Sequence, residues 1–546
     1  MEVMTTGTCA RQASRKDRAG TVRVLFLSTG WPSGMIDLAS WVTRQGLAET
    51  AICRVDGAVD PRLVERLRQV RPHVVGMRIE GGQFEVVRDL VAALRRTTDA
   101  EIILGGPTAT SHPIEVLDDC GADYVFAGEA EEPLAEFLRL AGTRNSKDRQ
   151  PEIPGLAYRY GGRTYANTLP ADGYGRTVLD TDRAGRRVRL GSACSAARPV
   201  PPRELIAENR LDWSLLHGFT AEFDSLYFTG GRGCPGVCTF CARLHGPQVR
   251  AKTAEQLIEE IEAADARVTN GELRVTRWDL FKHTDEPGLR ERRVSWTAIY
   301  DEDFFLARPR AIRFFELWDR SPLRERYRLS LQTNPCSLLT ADGRPHEELF
   351  RWIDRLKPML QLGAESFHPD LLARWHKRHN VAQLETVLDA LDRTRQDYTV
   401  FQLLTDFDST PEELIDALWL LATSAFRHRR MRVASSPFTI PLYDSDTRRL
   451  LEFGGRLSPG RVNHFTDYER PQPGWMDPLT AELADLADAE LRFALNIEQR
   501  DGALFEAFDA VLRRMREEPP GERTRHLCDR AEWAMQQVKE MRFQAI

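Results

Sequence analysis

The chain has 546 residues, a length that suits about three to four domains. Its 42% hydrophobic and 29% charged residues are the composition of a globular protein with a sizeable core, which excludes a mainly disordered chain. The net charge of −6 excludes a strongly basic nucleic-acid binder, and no apolar run reaches the roughly 18 residues of a membrane span.

Residues 1–20 are polar, carry Arg and Lys, and lack an apolar stretch, so they read as a disordered leader rather than a secretory signal. Nine cysteines, an odd and sparse number, argue against a disulfide framework and for a reducing, cytoplasmic location. Over residues 21–144 short β-branched runs alternate with amphipathic stretches. Strands are expected at Val22–Leu27, Ala51–Cys53, His73–Ile79, Glu101–Leu104 and Tyr124–Ala127. Helices are expected from Met35, over Pro61–Val70 and Phe84–Arg95, and from Glu132. This alternation predicts a doubly wound, Rossmann-like parallel sheet with its ligand at the carboxyl ends of the strands.

Residues 145–220, with Pro199–Pro202, read as a linker region. Over 221–440 the alternation resumes, with strands at Ser225–Thr229, Leu329–Thr333, Met359–Gly363, Tyr398–Leu404 and Met431–Ala434. Leu273–Leu280 and Val294–Tyr300 compete for one further place. Thr253 with Gln256 forms a capping box, and Thr410 followed by Pro411 and Glu413 marks another helix start. About six βα units predict a partial (βα)6 barrel. Residues 441–546 open with a Pro-rich loop and continue as a mainly helical region, Thr480–Arg516 above all, expected to cap the substrate. Trp475, Tyr468 and Phe493 are candidates to close over it. The expected class is therefore α/β: a parallel sheet, then a partial barrel, then a helical C-terminal region.

Three cysteines fall within eight residues: Cys234, Cys238 and Cys241, spaced C-x3-C-x2-C just after a strand. Three thiolates on a Gly- and Pro-rich loop can hold three corners of an iron–sulfur cube and leave the fourth iron open. Other readings are a Cys3His zinc site with His245, ordinary buried cysteines, or a dinucleotide loop on Gly231, Gly233 and Gly236. Pro235 and the thiols suit the last of these poorly.

This loop, with Phe240 before its last cysteine, resembles the radical S-adenosylmethionine (SAM) superfamily. The resemblance implies a [4Fe-4S] cluster on Cys234, Cys238 and Cys241, SAM chelating the open iron, and Phe240 beside the adenine. Gly363-Ala364-Glu365-Ser366 resembles the fourth-strand motif lining the SAM site, and Leu371–Asn380 fits the same family. In the N-terminal sheet, Leu104-Gly105-Gly106-Pro107-Thr108 and the Tyr124–Glu129 run, with Gly128 and Glu129, resemble the cobalamin-binding domain often fused before such a barrel. The Asp-x-His-x-x-Gly motif that supplies a histidine to cobalt is absent. Arg78, ending the third strand, is a poor cobalt ligand because guanidinium does not readily deprotonate. It would leave the lower face of cobalt open, or pair with Glu80 or a phosphate. The usual Gly-Gly-Glu-Pro of the second barrel strand is replaced by Ile299–Phe305, where Asp301 and Glu302 are candidates for the SAM ammonium.

Together the two domains resemble class B, cobalamin-dependent radical SAM methyltransferases, over about residues 20–440. That family passes a methyl group from SAM through methylcobalamin to an unactivated carbon, by a radical or a polar route. Leu244–Gly246 through Lys252-Thr253, Thr276–Trp278 and Ile299–Phe305 resemble the tryptophan 2-C-methyltransferases of thiopeptide biosynthesis. The resemblance implies transfer to C2 of L-tryptophan, with Tyr300 taking the indole N–H proton and a carboxylate, here Glu272, at the open iron. It implies a small-molecule substrate and an external electron donor, with no nucleic acid and no membrane. Rival readings are radical methylation of an sp3 carbon, a cobalamin-dependent cyclase or rearrangement enzyme, and a zinc-stabilised cobalamin carrier.

Overall fold

A computed structural model of the chain describes all residues except 1–20, 33, 142–152, 161–162, 168–179, 182–186, 189–205, 207, 220–221, 242–244, 282–283, 285, 437–439, 442–467, 470–475, 492–496 and 546. The expected leader, Pro199–Pro202, Trp475 and Phe493 lie outside the described residues.

The first sheet is built on β1 (Val22–Ser28), β2 (Ala48–Arg54), β3 (Val74–Arg78), β4 (Glu101–Gly105) and β5 (Tyr124–Phe126), all parallel in the order β2-β1-β3-β4-β5. Both faces are covered, which explains the unbroken apolar runs. Val24 and Phe26 pack against α1 (Met35–Arg44) and α5 (Glu131–Ala141). Leu25 and Leu27 pack against α2 (Pro61–Val70) and α3 (Phe84–Leu94). The Asp60 side chain accepts from Leu63 N at 2.7 Å and Pro61 occupies the first turn, so α2 starts where its residues dictate. The fourth helix, α4 (Pro113–Cys120), precedes β5.

The stretch expected to be a linker is in part sheet. β6 (Leu156–Tyr160) and β7 (Arg163–Ala166) extend the β5 edge antiparallel, and Leu216–His217 pairs with β2 at the opposite edge. Ile153, Leu156, Tyr158 and Trp213 are buried in the same core, so these residues had an apolar reason to join it.

The second sheet has six parallel strands in sequential order: β8 (Ser225–Phe228), β9 (Ser295–Ile299), β10 (Tyr327–Thr333), β11 (Met359–Glu365), β12 (Tyr398–Leu403) and β13 (Met431–Ser436). The competition for the second place is decided for the later candidate. Arg274–Val275 forms only a short ribbon on Glu222–Phe223. Leu226, Phe228, Ile299, Leu329, Leu331, Leu360, Leu362, Val400 and Val433 face the helical layer of α6 (Ala254–Thr269), α7 (Arg308–Arg320), α8 (Glu347–Leu356), α9 (Val381–Arg393) and α10 (Pro411–Arg427). By strand alternation Tyr227, Tyr300, Ser330, Gln332, Gln361 and Thr399 face the opposite way, into the lumen. The Thr253–Gln256 capping box and the Thr410 cap are both present.

Three helices follow: α11 (Pro478–Leu491), α12 (Ile497–Arg516) and α13 (Glu522–Ala545). They pack on α10 and on the outer side of β13 rather than over the lumen. Ser435 Oγ donates to Asp488 Oδ1 at 2.8 Å, and buried Arg500 donates to the Met431 carbonyl at 2.6 Å. These described helices therefore brace the barrel wall at β13. For Tyr468 the described feature is its backbone pairing with Pro441.

Candidate active site

The cysteine loop leaves the carboxyl end of β8. The backbone amides of Gly230 and Gly231 both donate to Asp301 Oδ1, at 2.8 and 2.6 Å, while Oδ2 pairs with Arg310 at 2.8 Å. Asp301, a candidate for the SAM ammonium, is buried and braces the loop. Gly231–Arg232 then pairs antiparallel with Arg250–Ala251, closing the loop at its base. At Gly233 φ is +91°, and a Cβ there would lie 2.0 Å from the Gln248 carbonyl oxygen, so no other residue fits. Cys234 N donates to the Gly246 carbonyl at 3.1 Å, and Gly236 N points at Cys234 Sγ from 3.4 Å.

Cys234, Cys238 and Cys241 form no disulfide and are partly exposed. Among the described residues no three His, Cys, Asp or Glu side chains converge on one point, as a single zinc ion requires. His245 is instead held by Glu302, Nδ1 to Oε1 at 2.7 Å. Three thiols carried on one tight loop suit the separate irons of a cube. Glu302, the other candidate for the SAM ammonium, meets His245 through Oε1.

Beside the thiols lies the Phe240 ring, edge-on to Trp375 with centroids 6.0 Å apart. Lys377 Nζ sits 5.7 Å over the Phe240 ring and pairs with Glu365 at 3.2 Å. Glu365 holds φ at +66° after an irregularity in the β11–β12 ladder, a strained position for a residue with a side chain. Ser366 follows it, and its hydroxyl accepts from His368 N at 3.0 Å. His379 lies between Asn334 and the Ala364 carbonyl; burial, then Lys377, lowers it to about 3, so the ring stays neutral.

On the N-terminal sheet, Gly105 ends β4 and Gly106 turns with φ +110°. A Cβ on Gly106 would lie 2.8 Å from Arg78 Cγ and 2.9 Å from the Ile79 carbonyl oxygen. Pro107 opens a short turn of helix, and the fully buried Thr108 hydroxyl has no hydrogen-bond partner there. Gly128 N donates to Thr110 Oγ1 at 2.9 Å. A strand end stripped of side chains and an orphaned buried hydroxyl suit a large ligand with a polar tail, and cobalamin is such a group. Arg78 ends β3 beside this notch and pairs with Glu80.

The Glu129 carboxylate takes Arg250 at 2.5 and 2.9 Å and Arg232 at 2.7 Å. Arg232 also pairs with Glu131 at 2.7 Å. Burial alone would raise Glu129, but Arg232 and Arg250 outweigh it and bring the carboxyl down to about 2. The carboxyl-end loop of the first sheet is thus bolted to the base of the cysteine loop. A buried Lys252–Glu260 pair at 2.8 Å and a Trp31 Nε1 bond to the Tyr227 carbonyl at 2.9 Å flank the joint.

Glu272 precedes Arg274–Val275, whose parallel partner Glu222–Phe223 lies before β8, whereas the cysteine loop follows β8. Glu272 pairs with Arg267 at 2.7 Å.

Tyr300 follows β9 at the lumen mouth and is 48% exposed. Its ring stacks on Tyr227 with centroids 5.2 Å apart and planes 9° from parallel. Tyr227 Oη donates to Asp224 Oδ1 at 2.8 Å. One strand over, Gln332 donates to Gln361 at 3.2 Å, and Gln361 donates to Ser330 at 2.9 Å. The mouth is lined by aromatic faces and neutral amides, while Arg328 and the Arg432–Asp397 pair lie deeper. Tyr227, Asp224, Gln332 and Gln361 were not among the residues expected from sequence. Their alternation along strands was visible, but only strand pairing brings them together.

Two family models match: the B12 binding domain over residues 38–138 and the radical SAM superfamily over residues 228–420. The chain joins a B12-binding domain to a radical SAM domain, a pairing that calls for cobalamin, a [4Fe-4S] cluster and SAM. A curated relative, cytidylyl-2-hydroxyethylphosphonate methyltransferase of Streptomyces wedmorensis, is 24% identical over 225 residues, covering 38% of this chain and 39% of that protein. The chain thus spans well under half the length of this relative. The solved radical SAM methyltransferase TsrM of Kitasatospora setae, with cobalamin and a [4Fe-4S] cluster bound, has a TM-score of 0.60 at 14% identity over 95% of this chain and 99% of that one. Its form with tryptophan and a SAM analogue has a TM-score of 0.57 at 15% identity over 79% and 76% of the two chains. OxsB, a cobalamin-dependent SAM radical enzyme, has a TM-score of 0.60 at 12% identity over 95% of this chain and 72% of that one. These likenesses show a shared fold.

Proposed function

We propose that the protein is a cobalamin-dependent radical SAM C-methyltransferase acting on a small aromatic substrate, with C2 of L-tryptophan as the carbon methylated. The observation that supports this reading is the Glu129–Arg232–Arg250 joint, which sets the ligand edge of the B12-binding sheet against the cysteine loop. When bound, cobalamin relays a methyl group from SAM, and the cluster anchors SAM.

The chain's own residues have separate tasks. Cys234, Cys238 and Cys241 hold the cluster, and Phe240, Glu365 and Ser366 line the SAM side. Gly105, Gly106, Pro107, Thr108 and Gly128 cradle cobalamin, and Arg78 keeps a histidine-free lower face. The stacked Tyr300–Tyr227 pair offers a flat wall for a planar ring, and Gln332 and Gln361 give it neutral hydrogen-bonding partners. Tyr300 Oη takes the ring N–H proton as the neighbouring carbon acquires the methyl group. The tryptophan-bound TsrM supports a ring of this kind. An external electron donor keeps the cofactors in the reduced state.

A second reading has its own support. In this reading Glu272 stays paired with Arg267 and no carboxylate blocks reductive SAM cleavage. Radical methylation of an sp3 carbon in another natural-product intermediate then remains open, and the phosphonate methyltransferase relative supports it. One anaerobic reaction decides between them: reconstituted protein, cobalamin, methyl-labelled SAM, reductant and tryptophan, read by mass spectrometry. Labelled 2-methyltryptophan without matching 5′-deoxyadenosine supports the first reading. 5′-Deoxyadenosine with unmodified tryptophan overturns it in favour of the second.

A further inference from the structure

We propose, on the reading of Cys234, Cys238 and Cys241 as the holders of the cluster, that Lys377 is a positioning residue for electron entry: a buried cation, fixed against the cysteine loop, that makes the cluster easier to reduce.

Local structure puts the lysine there. The short helix Pro369–Arg374 ends in a paired turn, with Lys377 N donating to the Leu372 carbonyl at 3.0 Å and His376 N to the Ala373 carbonyl at 3.1 Å. His376 takes the left-handed position of this helix ending, at φ +52°, although it is not a glycine. The reversal lays residues 375–378 along the cysteine loop. Thr239 N donates to the Trp375 carbonyl at 3.1 Å, and the Phe240 ring stands edge-on to Trp375. A Cβ on Gly236 would lie 3.2 Å from Cys234 Sγ, 3.9 Å from Cys238 Sγ and 3.6 Å from Arg378 Cδ, so the same segment borders two of the thiols. Between Trp375 and Arg378 in the chain, Lys377 places Nζ 5.7 Å over the ring of Phe240, the neighbour of Cys241, and pairs with Glu365 at 3.2 Å.

The Lys377 side chain is 4% exposed, whereas Arg378 is exposed. Water and salt screen the arginine far more than the buried lysine. Burial opposes the charge on Lys377, but Glu365 and then Cys238 raise its proton affinity, so it stays a cation. The potential of an iron–sulfur cluster responds to the net charge around it. The external donor gives up one electron and the cluster gains it, so the reduced state carries one more negative charge, which a fixed cation favours.

The test uses the full chain with its cluster reconstituted and no SAM present, at about pH 8, where a lone Glu365 is ionised. The midpoint potential is read by redox titration followed by electron paramagnetic resonance. Lys377→Met should move it to more negative values and Glu365→Gln to more positive ones, at wild-type iron and sulfide per chain. Lys377→Arg should keep it, and the double variant Lys377→Met with Glu365→Gln should return close to the wild type, because the local charge is restored. A lysine that only packs against Phe240 does not give shifts of opposite sign. A wild-type potential in Lys377→Met overturns the inference. If Lys377→Met fails to take up the cluster, Glu365→Gln carries the sign by itself, and an unmoved or more negative potential there overturns it equally. Failure of the cluster reading looks different: the wild type itself takes up no iron and sulfide, and the inference falls with it.

Discussion

Removing the Glu129 side chain tests the joint between the two sheets directly. Glu129→Ala leaves Arg250 without its carboxylate, while Arg232 keeps Glu131 at 2.7 Å. Breaking a buried ion pair costs about 3–5 kcal/mol because the surviving charge stays buried. With one of the two arginines still paired, the lower end, about 3 kcal/mol, applies. At a urea dependence of about 3 kcal/mol per molar, the unfolding midpoint should fall by about 1 M. Arg250→Ala in the Glu129→Ala background should then cost little more, because the pair is already broken. Acid should act on the same joint. The Glu129 carboxyl is held down to about 2 in the folded chain, against 4.5 ordinarily. Its stabilisation is therefore complete above about pH 4.5 and is lost as pH falls from there towards 2. Glu129→Gln should flatten that loss. A Glu129→Ala midpoint within about 0.2 M of the wild type in urea would refute the reasoning, since a buried pair cannot be broken that cheaply.

Three other expectations follow from single contacts. Gly233→Ala places a Cβ at 2.0 Å from the Gln248 carbonyl oxygen at φ +91°, so iron and sulfide per chain after reconstitution should drop severalfold while the helical circular dichroism persists. Gly106→Val pushes side-chain atoms into Arg78 and the Ile79 carbonyl, and should abolish cobalamin retention on a desalting column with cluster content unchanged. Buried His428 bridges Glu385 at 2.9 Å and Asp392 at 2.8 Å; burial opposes its charge, but these carboxylates raise it to about 9. Its stabilisation is full below about pH 6.5 and disappears as pH rises through 9, so urea midpoints of the wild type should fall across that window and those of His428→Gln should not.

Much was legible in the residues themselves, where short-range physics decides. The strand–helix alternation of residues 22–141 placed the five strands β1 to β5 of the first sheet, because strands covered on both faces are continuously apolar, whereas the parallel edge pairing of Leu216–His217 was not legible. The caps at Asp60, Thr253 and Thr410 begin helices as their residues require. The C-x3-C-x2-C spacing marked a tight cysteine loop after β8, and Gly105–Gly106 the turn at the end of β4. The partners of carboxylates were not legible. In the folded chain Asp301 meets backbone amides, Glu302 meets His245, Glu129 meets Arg232 and Glu272 meets Arg267. A charge has no periodicity, so its partner is chosen by whichever element the fold brings within reach. Arg232 meets Glu129 across 103 positions of sequence. The same holds for Tyr227 and Tyr300, ordinary strand aromatics until β8 and β9 pair and stack them. The sequence by itself determined the elements, the cysteine loop and the glycine notch, because those depend on neighbours within a few residues. Only the tertiary structure decided which charges brace and which remain for chemistry, because that depends on contacts between distant segments.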